Sequence, residues 1–337
     1  MKKSSLLKYF LIIILIAIVF IGYKLIGPST LQKKEKYLFV ENNLTQKEVA
    51  ETLVEKGFIS STTWFNNASR IVGLKTVKAG RYEIKKGMSL YSLAKMLKNG
   101  KQSPVSFSIT KIRTKEALAG KMGKAFQYDS LQAIQFLSNN DSLKQYGVDT
   151  NTVMSLALPL TYDIYWNTTP SDLIKKFQSA YQTFWTEERK QKASALGLTP
   201  IQVISLASII DEESNDTEEK PTIASTYLNR VKIGMPLQAD PTVKFALKDF
   251  GIKRILLGHL QTPSPYNTYK NKGIPPGPIC TPQTATIDAV LNAPKTDYLY
   301  FVADSSFNGK HLFTTNYQDH LKLAKAYQEA LNKRNIK

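Results

Sequence analysis

Between Thr199 and Pro241 the chain reads TPIQVISLASIIDEESNDTEEKPTIASTYLNRVKIGMPLQADP. The first part of this stretch is the strongest constraint on any fold. Thr199 suits an N-cap and Pro200 the first helical position, where its missing N–H costs nothing. Ile201, Val203, Ile204, Leu206, Ala207, Ile209 and Ile210 then leave almost no polar face. A helix apolar all round has to be enclosed on every side, so the chain must build other elements around it. The helix runs into acid: Asp211, Glu212, Glu213, Asp216, Glu218 and Glu219 are six carboxylates within nine residues. Glu213 emerges from the core at the helix C-terminus, where like charges, partial burial and the negative end of the dipole each raise a carboxyl pKa. A general acid working near neutral pH needs that rise. A structural reading stands beside it. Glu218 and Glu219 fit the first turn of a second helix, Glu218 to Ile233, capped by Thr217 and stopped by Gly234. Asp216 fits a turn. The pattern alone leaves both readings open.

At 337 residues the chain is long enough for two or three domains. Its 45 Lys and Arg against 27 Asp and Glu give a net charge of +18. Such a balance fits nucleic acid or an anionic surface. The lysines are spread along the chain and no nucleic-acid module is recognisable; a cell-envelope protein facing anionic lipid and wall polymer fits equally well. The single cysteine, Cys280, excludes an internal disulfide and is expected as a buried thiol. His259, His311 and His320 are scattered and there is no C-x-x-C, so a metal site is not expected.

Met1 to Lys8 is a short basic tail. Tyr9 to Tyr23 carries no charge, and with Leu6, Leu7, Leu25 and Ile26 the apolar stretch reaches about 20 residues, enough to span a bilayer. A cleaved secretory signal is the rival. No small-x-small site follows, which favours an uncleaved anchor with the large C-terminal part outside. Gly27 to Lys36 reads as a polar linker. Phe39–Gly57 and Tyr82–Gly100 are two similar units of 19 residues, each a strand, a turn, an amphipathic helix and a closing Gly.

From Pro104 the pattern changes. Val105 to Ile109 alternates like a strand, and Lys115–Phe126 and Ser130–Leu137 read as helices. Leu158–Trp166 is strand-like. Ser171–Leu196 reads as one long helix with Phe177, Tyr181, Phe184 and Trp185 as its core stripe. Met235–Thr242 reads as loop. Ser264–Pro282 holds five Pro and two Gly in 19 residues, which forbids regular structure. Its Tyr266, Asn267 and Tyr269 are suited to stack on and hydrogen-bond to a sugar. Tyr298–Ala303 is expected as a buried strand paired with His311–Thr314, before a basic closing helix, Tyr317–Arg334.

Together LASIIDEES (206–214), YLNR (227–230), GMPLQADPTV (234–243), SPYNTY (264–269), GIPPGPI (273–279) and APKTDYLYFVAD (293–304) resemble the YceG-like (MltG) family of membrane-anchored endolytic murein transglycosylases. The second 19-residue unit is similar to a LysM-type glycan-binding motif. A small α/β spacer without a ligand is the alternative. The resemblance implies an α+β fold: a tail over 1–8, a transmembrane anchor over 9–26, a linker over 27–36, a LysM-like unit over 37–103 and a catalytic domain over 104–337. It places the catalytic acid on Glu213. Asp211 and Glu219 fall on other acid positions of the pattern, and Asp211 is shorter than the Glu usual there. A second departure is Met154-Ser155, where members often carry Glu-Gly. Supporting roles go to Asn229 and Gln238 as amides for sugar contacts and to Arg230 as partner of a cluster acid. Asp240 would orient the Gln-Ala-Asp-Pro loop by an Asx-type bond, and Tyr266, Asn267 and Tyr269 would line a cleft. The implied partners are peptidoglycan glycan strands and peptidoglycan synthases, the implied place the cytoplasmic (inner) membrane. The implied reaction cuts MurNAc–GlcNAc β-1,4 bonds without metal or cofactor. A non-catalytic glycan-binding scaffold and a hydrolytic muramidase remain the alternatives.

Overall fold

The structure, a computed structural model, describes residues 2–31 and 35–334. Met1 of the expected tail and residues 32–34 of the expected linker lie outside the described residues. The chain divides into two compact units. The first runs to Phe107 and takes in Ala125–Tyr128 and Tyr162–Thr168; the second holds Ser108–Lys124, Asp129–Thr161 and the chain from Thr169. The architecture is α+β, helix-dominated with short antiparallel strand pairs.

Helix α1 (Lys2–Ile26) includes the basic residues read as a tail. Its segment Leu6–Ile26 has 21 residues at a mean hydropathy of 2.6, with none of the scanned window buried. At 1.5 Å per residue it rises about 32 Å, the thickness of a bilayer's hydrocarbon core. The polar stretch after it is pinned rather than loose. Thr30 is buried, its N–H donates to Met88 O at 3.1 Å and its hydroxyl to Lys85 O at 2.7 Å.

Strand β1 (Tyr37–Val40), β2 (Leu44–Thr45), α2 (Gln46–Glu55), α3 (Thr62–Val72), β3 (Thr76–Val77), β4 (Gly80–Glu83) and α4 (Leu90–Lys98) follow. A Thr45–Glu48 capping box starts α2 and Ser89 caps α4. Gly57 and Gly100 follow these helices at φ +70° and +60°, as the closing glycines required. The two repeats are not separate modules, however. β1 pairs antiparallel with β4, Tyr37 opposite Glu83, and Val49, Leu53, Leu93 and Leu97 share one core.

Next come β5 (Val105–Ser108), α5 (Lys115–Ala125), α6 (Ser130–Leu137), α7 (Asn140–Lys144), a 3-10 turn at Val153–Leu156, and β6 (Thr161–Ile164). The helix expected over 171–196 is two helices, α8 (Pro170–Phe184) and α9 (Glu187–Ala195). Trp185 leaves helical geometry at ψ 73°, and Thr186 caps α9 by accepting the Arg189 N–H. The stripe holds: Phe177 and Trp185 are buried, with Tyr181 and Phe184 packed on the core.

Helix α10 (Pro200–Glu213) is the organising element. Thr199 and Gln202 close a capping box, and every side chain from Val203 to Asp211 is buried. It packs against α9, α11 (Lys220–Lys232), α12 (Asp240–Leu247) and α13 (Thr284–Leu291). α11 begins at Lys220, so Thr217 is not its cap; Glu219 takes that place without a side-chain bond. Asp216 is the expected turn residue, accepting the Glu218 N–H at 2.9 Å. α12 corrects the loop expected over 235–242. Asp240-Pro241 is a helix start, with Pro in the first turn. β7 (Tyr300–Ala303) and β8 (His311–Thr314) form the expected hairpin, Tyr300 opposite Thr314, but β7 is half-buried rather than buried. α14 (Tyr317–Lys333) ends the described chain.

Candidate active site

Glu213 is the last residue of α10, and Ser214 after it is extended. The side chain is half-buried, and its Oε1 accepts the Tyr227 hydroxyl at 2.8 Å. Burial pushes its pKa from 4.5 up to about 7. The Tyr227 hydrogen bond opposes this, Asp240 adds to it, and the charges of Lys244 and Arg230 oppose it.

The other acids do not raise it as a crowd. Glu212 is held by Arg113 through two bonds of 3.1 and 3.0 Å and by Lys111 at 3.3 Å. Asp211 is sealed between helices, ion-paired to Lys220, accepting the Thr286 hydroxyl at 2.7 Å and the Gln283 N–H at 3.2 Å. Burial pushes its pKa up, but Lys220, Thr286 and the Gln283 amide hold it below the usual value. Glu219 accepts the His311 N–H at 2.5 Å, pairs with His311 Nδ1 at 2.8 Å and takes the Ser214 hydroxyl at 3.3 Å. It ties β8 to the end of α10. Asp211, Glu212 and Glu219 each have their own partner, so desolvation, with a smaller addition from Asp240, sets Glu213.

The remaining expected residues divide. Asp240 heads α12 and faces the acid. Its Oδ1 accepts the Tyr269 hydroxyl at 2.6 Å, and no Asx-type bond is made. The turn is instead stitched by two buried threonines. Thr242 Oγ1 donates to Ala239 O at 2.6 Å and lies 2.9 Å from Thr268 Oγ1, which accepts the Ala239 N–H at 2.9 Å. Gln238 has φ +50° and an exposed side chain beside this turn. Tyr266 is half-buried against Phe245 at 4.7 Å between ring centroids.

Three residues are placed away from substrate. Asn267 is fully buried, its amide donating to Leu260 O and Thr262 O at 2.9 Å each, so it shapes the loop rather than contacts a sugar. Asn229 donates to Thr296 O at 2.8 Å and Tyr298 O at 2.9 Å, holding the approach to β7. Arg230 pairs with no cluster acid; it donates to Leu237 O and to Leu299 O at 2.6 Å, under the Tyr300 ring. Sequence reading missed Tyr227 and Lys244. Tyr227 had a signal: a tyrosine on a helix packed against α10 needs a partner for its hydroxyl.

The proline-rich loop is fixed to α10 by Ser208, whose Oγ accepts the Ile279 N–H at 2.9 Å. A Cβ on Gly277 would lie 2.0 Å from Asn151 O, so only glycine permits that approach. Among the described residues, no group of three His, Cys, Asp or Glu is gathered as metal ligands would be.

The family model described as the YceG-like family matches residues 38–326. The chain belongs to the YceG-like family. It is 30% identical to an endolytic murein transglycosylase of Bacillus subtilis, over 93% of this chain and 92% of that one. It is 28% identical to an endolytic murein transglycosylase of Streptococcus pneumoniae, covering 89% of this chain but 61% of the longer relative. A YceG-like protein of Listeria monocytogenes, solved by crystallography, superposes with a TM-score of 0.52 at 25% identity, over 86% of this chain and 99% of that one. The match to the YceG-like model spans both units and the whole Glu213 neighbourhood.

In this YceG-like site Tyr227 stabilises the ionised form of Glu213, so Tyr227→Phe is expected to raise the acid's pKa further. The alkaline limb of the pH–rate profile should move up by roughly one pH unit, the equivalent of a hydrogen bond to charge. A profile unchanged in position, with only the rate altered, would reduce Tyr227 to packing.

Proposed function

We propose that the chain is an endolytic peptidoglycan transglycosylase, anchored by α1 in the cytoplasmic membrane with its second unit outside. It cuts MurNAc–GlcNAc β-1,4 bonds within nascent glycan strands. Residues 104–337 are the catalytic domain and 37–103 a LysM-like glycan-binding unit in this reading. The observation that carries it is Glu213: one accessible carboxyl poised near neutrality, beside Asp211, Glu212 and Glu219, which are already paired. The names of the relatives support the same reaction class.

The chemistry needs one acid used twice. Tyr227 donates to Oε1, which leaves the acid's proton on Oε2. Glu213 gives that proton to the glycosidic oxygen as the C1–O bond breaks through an oxocarbenium-like transition state. The resulting carboxylate takes the proton of the C6 hydroxyl on the same MurNAc. O6 closes on C1, leaving a 1,6-anhydro end and a restored acid, with no water consumed. Burial that raises the pKa supports the first step, and the Tyr227 hydroxyl supports the second.

Hydrolysis is the second reading, since it requires a further carboxylate as nucleophile or base. Asp211 and Glu219, bound to Lys220 and His311, are poorly suited to it. Asp240, exposed and close enough to act on Glu213, is the better candidate. Digestion of uncrosslinked glycan strands by the full chain in detergent, read by mass spectrometry, separates the readings. Internal fragments ending in 1,6-anhydroMurNAc are expected. Ends heavier by one water would shift the reaction to hydrolysis, and binding without cleavage would leave a scaffold.

A further inference from the structure

Helix α1 does not end in a free linker. Leu25 in its last turn packs on the core of Val49, Leu53, Leu93 and Leu97, and the helix lies against α3 and α4. The residues after it are bonded on both sides. The Thr30 N–H and hydroxyl donate to Met88 O and Lys85 O, the Gly87 N–H donates to Thr30 O at 3.0 Å, and the Leu31 N–H donates to Phe58 O at 2.7 Å. With no slack in this joint, the height of α1 in a bilayer sets the height of α3. The contact that reads that height is Phe20 on Trp64, with ring centroids 6.0 Å apart and planes at 75°. Phe20 precedes the end of the apolar segment, Ile26, by six residues. At 1.5 Å per residue that is about 9 Å back along the helix. A helix tilt of about 20° alters this depth by under about 1 Å. Helical side chains lean toward the N-terminus, so the Phe20 ring is no shallower than its backbone. Trp64 therefore lies level with the upper acyl chains rather than above the headgroups.

We propose that the Trp64 face of α3 is a lipid-binding surface, seated at the boundary of headgroups and acyl chains in the leaflet where α1 ends. The inference rests on α1 spanning the membrane. Trp64 suits that boundary. One side of it packs on the core, and among the described residues its indole N–H has no acceptor. Headgroup and ester oxygens supply one, which is why tryptophan is enriched at this depth. Ile71, seven residues on and on the same face of α3, is 62% exposed. Charge divides in the same sense. α3 and α4, which adjoin α1, carry Arg70, Lys95 and Lys98 and no acid, whereas α2 carries Glu48, Glu51 and Glu55. An anionic headgroup layer attracts the first set and repels the second. The first unit is then a membrane-surface module rather than a spacer. A glycan-binding unit held at that height meets strands where they leave the membrane.

The test uses the full chain, wild type and Trp64→Phe, reconstituted into vesicles containing phosphatidylglycerol. The acyl chains carry bromine, a contact quencher of indole, either near the headgroup or near the methyl end. Wild type is expected to lose about a third of its emission to the shallow bromine, the share of one tryptophan among three, and less to the deep one. Trp64→Phe keeps a ring against Phe20 and should lose almost none. A second measurement needs no variant. Lipids with a photoreactive diazirine near the ester should leave adducts of the wild-type chain on the α3 peptide and not on α2. Flotation of the vesicles after a carbonate wash reports α1 by itself. A chain that still floats, but is quenched equally with and without Trp64 or labelled as often on α2 as on α3, would overturn the lipid face and leave the anchor standing. Release of the chain by the wash would overturn the anchor, and the face with it.

Discussion

Glu213→Gln is expected to lower strand cleavage by about 10³-fold or more, because the same carboxyl serves as acid in one step and base in the next. Gln keeps the shape and an oxygen for the Tyr227 hydroxyl, but it carries no transferable proton. The stability of this variant moves the other way. In the folded chain the Glu213 proton is held up to about pH 7, against 4.5 for the free group. Between those values the unfolded state has released a proton that the folded state keeps. Stability from this group therefore falls as pH rises through that window. Gln escapes the loss, so its thermal midpoint should match wild type near pH 4 and equal or exceed it at pH 8. Activity within tenfold of wild type would remove Glu213 from the mechanism. A midpoint well below wild type at pH 8 would show that its burial was misread.

Lys220→Met is expected to be the most destabilising single change near the site. Lys220 and Asp211 are 4% and 1% exposed, and the pair joins α10 to α11 while Thr286 and Gln283 join the same carboxylate to α13. Removing the lysine leaves a buried carboxylate with no cation, at a cost of about 3–5 kcal/mol. The double variant Asp211→Leu with Lys220→Met replaces both charges by apolar groups and should recover most of that loss. Urea titration followed by the fluorescence of buried Trp185 reads both. If the single variant unfolds at the wild-type urea concentration, the pair is not what fixes α10 to its neighbours. Because Asp211 precedes Glu213 by two residues, the single variant should also lose activity through displacement of the acid from Tyr227.

The places where the sequence misled share a cause. The helix over 171–196 has an unbroken apolar period, yet Thr186 with its following acids is a stronger local signal than the period suggests. Asp240-Pro241 is a helix start outweighed in the local pattern by Gly234 and Pro236 before it. Asn267 and Asn229 have side chains suited to sugars, and Arg230 one suited to an acid of the cluster. Each turned inward because a loop without regular structure leaves carbonyls that only a nearby donor can satisfy.

What the sequence determined by itself were the features set by neighbours in the chain. The apolar N-terminal helix, the capped α10 with its buried stretch, the emergence of Glu213 at its end, the turn at Asp216 and the hairpin β7–β8 all follow from local pattern and capping chemistry. What only the tertiary structure decided was which acids are tied to partners. The sequence sets Glu213 at the helix end, but it does not show how its neighbours among six carboxylates within nine residues are held. Their partners come from far along the chain: Arg113 for Glu212, Thr286 beside Lys220 for Asp211, and His311 for Glu219. A carboxyl pKa depends on the charges and the water within a few ångströms. Those are supplied by packing, so Glu213 is distinguished from its neighbours only when the helices close around it.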